Sequence, residues 1–225
     1  MHLTAERKDK RMLHGVYIEI DGVSKHSGEW GLEFVSYSLN FPEIKKATVD
    51  IEGANGELDL TDVYGHVFYK NRKLTLNFNA KRGFNRTVRD IVSFVHGKVA
   101  KITIFDDENY YYVGRMEFNK YTSDFKIGKV IFNVNCEPYK YRQERTVETH
   151  EIKGEKAVNY KCDYMETMPD FTSDQEMSFE YNGKQYSLPS GRKTTFTGLT
   201  FTEGDNFIKW KGNGKITVTY QEGTL

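Results

Sequence analysis

Two cysteines in 225 residues, Cys136 and Cys162, are too few for a disulfide scaffold. The chain must therefore hold together through an apolar core, and the two thiols read as free and buried. Proline is equally scarce, four in all, and no tract repeats, which excludes long extended linkers. An excess of charge of one sign is missing as well. Lys and Arg number 32 against 32 Asp and Glu, whereas a protein living on nucleic-acid phosphates carries a basic surplus. Split near Gln143, the first part holds 22 basic and 19 acidic residues and the rest 10 and 13, an asymmetry too weak to change that exclusion. No apolar run approaches the ~18 residues that indicate a membrane span. The charged start, MHLTAERKDKRML, leads into no apolar stretch of roughly 7–15 residues, so no secretion signal is read. A soluble chain made in the cytoplasm is expected.

Familiar chemistry is absent too. The six histidines, His2, His14, His26, His66, His96 and His150, form no pair at helical spacing, and neither cysteine has a zinc-like neighbour. Asp106, Asp107 and Glu108 lack the fixed acids, central Gly and distal Glu of an EF-hand loop, and read as a solvated turn. No G-x-S-x-G elbow occurs, and GANGELDLTD lacks the Gly-Lys-Ser/Thr ending of a phosphate loop. No catalytic residue, cofactor or metal ligand is assigned.

What the chain does have is period-two alternation. In KLTLNFNA, Leu74, Leu76, Phe78 and Ala80 oppose Lys73, Thr75, Asn77 and Asn79; KVIFNVNC repeats the pattern, and VYIEI and LEFVSYSL are further strands. One segment breaks it. Val88, Ile91, Val92 and Val95 make one apolar helix face, with Thr87 and Asp90 as a capping-box-like start, Asn85 as an alternative cap and Gly97 as the stop. Then KVAKITIF, DDEN and YYYVGRMEF read as a β-hairpin turning at Asp106 to Asn109. Along its second strand Tyr110, Tyr112, Gly114, Met116 and Phe118 fall on one face, the core side. Tyr111, Val113, Arg115 and Glu117 fall on the other, which leaves Tyr111 for a surface role.

Pro138 is expected to halt the alternation, with aperiodic charge to about Glu155 and a domain boundary in that stretch, giving domains 1–143 and 144–225. Beyond it, EMSFEY–NG–KQYSL and FIKW–KGNG–KITVTY read as two hairpins, the first turning at Asn182-Gly183 and the second around Gly212 to Gly214. Trp210 alternates with Ile208 and reads as core. The fold expected is mainly β with one short α-helix.

Several segments, taken in order, resemble the distal tail protein (Dit) family of siphophages and related prophages, mostly of Gram-positive hosts. They are IEGANGELDLTDVYG, YKNRKLTLNF, the helix ending in VHGK with ITIFDDENYYYVGRMEF after it, NVNCEPYKYRQE, and TEGDNFIKWKGNGKITVTYQEGTL. The likeness runs from about Val16; the charged start matches nothing. It implies a β-sandwich-like N-terminal "belt" domain that closes a hexameric ring, followed by a small galectin-like β-sandwich. It also implies a structural, non-enzymatic role in the virion tail tip. The ring would join the major tail tube protein to the tail-associated or tail fibre protein and anchor receptor-binding components, with DNA passing through its channel and no sequence-specific nucleic-acid contact. Within that frame Tyr111 and Arg115 become candidate subunit contacts. The alternative is a carbohydrate-binding adhesion module, which would need Tyr111 or Trp210 exposed beside polar groups.

Overall fold

The structure, a computed structural model, describes residues 14–80, 85–124 and 127–225; the charged start lies outside them. The chain divides into two compact units, residues 1–138 and 139–225.

The first unit contains β1 (Val16–Ile20), β2 (Val23–His26), a 3-10 turn (Ser27–Trp30), β3 (Leu32–Leu39), β4 (Thr48–Asp50), β5 (Glu57–Asp59), β6 (Arg72–Ala80), α1 (Asn85–Val95), β7 (Val99–Ile104), β8 (Tyr110–Asp124) and most of β9 (Ile127–Arg142). Its main sheet has the order β2-β1-β7-β8-β9-β6-β3. The alternating stripes all point to one side of it. Val16 and Ile18, Leu74 and Leu76, Ile102, Val130, Phe132, Val134 and Cys136 are fully buried in a single core. Four inter-strand steps separate β7 from β3, which in a flat sheet is about 19 Å. Yet Phe34 of β3 lies 5.7 Å, ring to ring, from Phe105 at the end of β7. The sheet therefore curls over its own apolar face.

Helix α1 closes this core. Ile91 and Val95 are fully buried and Val88 and Phe94 pack beside them, each buried aliphatic contributing roughly 1.5–3 kcal/mol. Because the helix begins at Asn85, Thr87 lies inside it and is not the cap; the residue before Asn85 is outside the described residues. Gly97 ends it at φ +77°, a left-handed value that glycine adopts without a Cβ clash. Among the described residues no helix is long and apolar enough to cross a membrane.

The second unit holds the end of β9, β10 (Thr146–Cys162), β11 (Asp170–Ser173), β12 (Met177–Tyr181), β13 (Lys184–Leu188), β14 (Thr194–Thr195), β15 (Gly204–Tyr220) and β16 (Gly223–Thr224). Two expectations are corrected in this stretch of chain. Strand β9 runs on through Pro138, which lies between two of its ladders: pairing with β6 ends at Cys136, and pairing with β16 begins at Lys140. What read as aperiodic charge is the start of a 17-residue strand, β10. The KGNG segment is likewise no hairpin. Residues 204–220 form one continuous strand, paired along its whole length with β10.

That strand must bend. Phe171 sits opposite Val218 and Phe179 opposite Trp210, eight residues apart on β15, or about 26 Å along a straight strand. Their rings are 5.1 Å apart. The bend carries Gly212 at φ +142° and Gly214 at φ +151°, values side chains rarely adopt, so the glycines are a corner within one strand. Folding the β10–β15 ribbon at this corner brings its two halves face to face as a small sandwich. Trp210, Tyr160, Phe171, Phe179, Phe201 and Tyr220 fill it.

Polar groups lock both ends. Arg142 bonds Glu222 at 2.8 Å, tying the strand that enters the unit to the C-terminal segment. Asp170 takes ion pairs from Arg145 and Lys193, both at 2.8 Å. Burial works to raise its carboxyl, but bonds from Lys193, Thr195 and Arg145 outweigh that and leave it below its usual range.

Gly114 marks the closest approach of β8 and β9: a Cβ there would stand 2.6 Å from the Asn135 carbonyl oxygen and 2.7 Å from Cys136 Cα. Because the obstructing atoms are backbone, Gly114→Ala is expected to cost about 1–3 kcal/mol in urea unfolding. Unchanged stability would refute the close approach.

Candidate functional site

The β7–β8 hairpin places the two residues singled out from the sequence on one outward face. Val99 pairs with Arg115 and Ile102 with Tyr112, so Tyr112 (4% exposed) and Met116 (1%) enter the core. Tyr110 is only half-buried. Burial pushes the Tyr112 hydroxyl well above its ordinary range, with Asp107 adding and Arg72 opposing; the Arg72 guanidinium lies 5.0 Å from its ring centre. Tyr111 faces outward, half-buried, with Lys101 Nζ 5.2 Å from its ring. Arg115 is exposed and donates from Nη1 to the Gly97 carbonyl just past the end of α1. Both residues thus have an intramolecular partner, and Arg115 has further donors to offer.

The acids of the turn are not merely solvated. Tyr37 of β3 donates its hydroxyl to Asp106 at 3.0 Å, bridging the far edge of the sheet to the β7–β8 turn where Phe34 and Phe105 meet. Burial first, then the bond to Asp106, raises the Tyr37 hydroxyl above its usual range. The partners are 69 residues apart, so no local pattern announces them. Among the described residues no group of three or more His, Cys, Asp or Glu could hold a metal ion.

Beside Arg115 opens a cleft of about 540 Å³ lined by Lys73, His96, Glu117, Asn133 and Asn135 among others. His96 Nδ1 accepts from the Phe118 amide at 3.1 Å, which puts the neutral ring's proton on Nε2. The cleft is therefore rich in donors, with Glu117 its one acid. In the second unit a cleft of about 560 Å³ is lined by Lys156, Phe179, Glu180, Lys209, Trp210 and Lys211 among others. Trp210 there is 1% exposed, and its indole N–H is bonded to Tyr160 at 3.2 Å. It presents no open ring face to a sugar.

A third feature escaped the strand patterns: the connection 40–71 between β3 and β6. It is an extended ribbon, held by Asn40 N–H to Lys73 O (3.1 Å), Lys70 N–H to Glu43 O (2.7 Å), Lys45 N–H to Phe68 O (2.8 Å) and Leu60 N–H to Ala47 O (2.7 Å). The β4–β5 hairpin lies at its far end. Phe41 (83% exposed), Tyr64 (79%), Val63, Ile51, Val49, Leu58, Phe68 and Ile44 are all exposed along it.

The two thiols are buried and free. Burial pushes Cys136 up to about 12, with Arg72 opposing and Glu137 adding. Cys162 is raised chiefly by burial and donates its S–H to the Met165 carbonyl at 2.9 Å. Neither is an activated nucleophile.

No protein-family model and no curated protein matches the sequence. Among solved structures the chain matches SPP1 Dit (gp 19.1), described as a paradigm of the hub adsorption apparatus in Gram-positive infecting phages. The TM-score is 0.67 at 17% identity, over 93% of this chain and 99% of that one. A weaker likeness is to the phage p2 baseplate in its activated conformation with Sr, with TM-score 0.46 at 8% identity over 94% and 98%. The chain thus has the mostly β, two-sandwich fold of a Dit hub protein.

The thiols supply a check on the folded core. A raised pKa in the folded state stabilises the fold below the unfolded value near 9 and ceases to as pH climbs toward 12. Neither thiol should react with Ellman's reagent at pH 8 until denaturant is added, and unfolding should become easier between pH 9 and about 12. Rapid native labelling of both would contradict the packing described.

Proposed function

We propose that this protein is a distal tail protein of a siphophage or related prophage, a non-enzymatic structural part of the virion tail tip made in the host cytoplasm. The observation that carries this reading is the likeness to a hub protein across both units, 93% of this chain and 99% of the other. In this reading the N-terminal unit is the belt and six copies close a ring. The ring joins the major tail tube protein to the tail-associated or tail fibre protein, anchors receptor-binding components and lets DNA pass through its centre. The C-terminal unit is the galectin-like sandwich. The neutral overall charge suits a channel that must release DNA. A ring built head to tail needs two different complementary patches on each copy, and Tyr111 and Arg115 are proposed to lie in one of them.

Light scattering followed by electron microscopy tests this directly. Six copies of a 26.2 kDa chain, about 157 kDa, should form a ring with an open channel; a strictly monomeric chain at the highest soluble concentration would refute the ring. Replacing Tyr111 and Arg115 together by alanine should shift the assembly toward smaller species with little change in thermal midpoint. An unaltered oligomer would remove them from the interface.

A further inference from the structure

The exposed ribbon 40–71 is the least explained part of the first unit. A two-stranded ribbon is marginal by itself in water, and a run of exposed aromatic and aliphatic residues this dense marks a surface that something covers. Its far hairpin is two-faced. Val49 pairs with Leu58, each 48% exposed, while Asp50 pairs with Glu57 on the opposite face, also exposed. Two like charges directly opposite each other destabilise a ribbon. Among the described residues no ion pair relieves Asp50, Glu52 or Glu57. The ribbon as a whole carries six acids and three bases, whereas residues 72–143 carry 14 bases and seven acids.

The matching surface lies at the ribbon's own root. Lys73, whose carbonyl closes the base of the ribbon, lines the cleft with His96, Arg115, Asn133 and Asn135. Sixteen residues separate Glu57 from Lys73, up to about 50 Å of extended chain, and cross-strand bonds tie the ribbon's two arms to each other. No ribbon residue lines the cleft at the ribbon's own root. The same two surfaces on different copies can meet, which is the geometry of a head-to-tail contact.

We infer that the acidic hairpin tip of one copy, Asp50 and Glu57, docks on the Lys73–Arg115 cleft of a second copy of this chain. The inference rests on the self-assembly proposed above, though not on the number of copies.

Charge exchange tests it on the full-length chain. Asp50→Lys with Glu57→Lys should weaken self-association by ~tenfold or more, and raised salt should weaken the wild type. Lys73→Glu with Arg115→Glu should do likewise. Mixed in equal amounts, the two variants should assemble together: each acidic tip then finds a basic cleft and each basic tip an acidic one. Assembly of the tip variant alone at wild-type strength would overturn the contact, as would failure of the mixture while both variants keep the wild-type thermal midpoint. A wild-type chain that never self-associates would overturn the proposed ring as well, which separates the two failures.

Discussion

The structure is governed by one constraint: strands such as β6 and most of β9 carry an apolar side chain at every second position, and that face must leave water. Among the described residues neither unit has a second large sheet to cover it. Each solves the problem by bending. In the first unit the sheet curls until Phe34 meets Phe105 and Tyr37 reaches Asp106, with α1 closing the core. In the second, a single ribbon folds at Gly212 and Gly214 so that Phe171 stacks on Phe179. Aromatic rings dominate both closures because each buries a large area against several neighbours at once.

Bending inward leaves an outward face, and on it the molecule divides its chemistry sharply. The outer face of β6 and β9 is polar, with Thr75 donating to Asn133 and Asn77 to Ser36. Among the described residues of the first unit, the ribbon 40–71 holds the densest run of exposed apolar side chains, set beside acids, while the bases concentrate after it. Such separation of opposite charges along one chain favours association between copies over collapse within one, provided the charged segments are held apart. Cys136, Tyr112 and Tyr160 are shifted mainly by burial, in directions that make them less reactive.

Much of this was legible in the sequence. Alternation located β1, β3, β6, β8 and β9, the spacing of Val88, Ile91 and Val95 located the helix, and Asn182-Gly183 located the β12–β13 turn. The resemblance to tail proteins rested on the order of weak motifs and agrees with the fold. The misses share a cause. Gly212 and Gly214 have the chemistry of a turn and of a corner alike, and only the partner strand β10, running unbroken past both, makes them a corner. Pro138 lies between the β6 and β16 ladders of β9, and the strand continues through it. For the candidate site, alternation put Tyr111 and Arg115 on one face, but Lys101 and the Gly97 carbonyl as their partners came from packing.

The order of residues alone fixed which face of β6, β8 and β9 is buried, because that depends only on residues two apart. It also fixed that the chain is β-rich and neutral. Packing between distant strands decided how each sheet closes, that Asp106 answers to Tyr37 across 69 residues, and that the acidic, apolar ribbon is rooted at Lys73 beside the cleft that holds Arg115. These depend on strands remote in sequence meeting in space, and the energy of such a meeting is written in no local pattern.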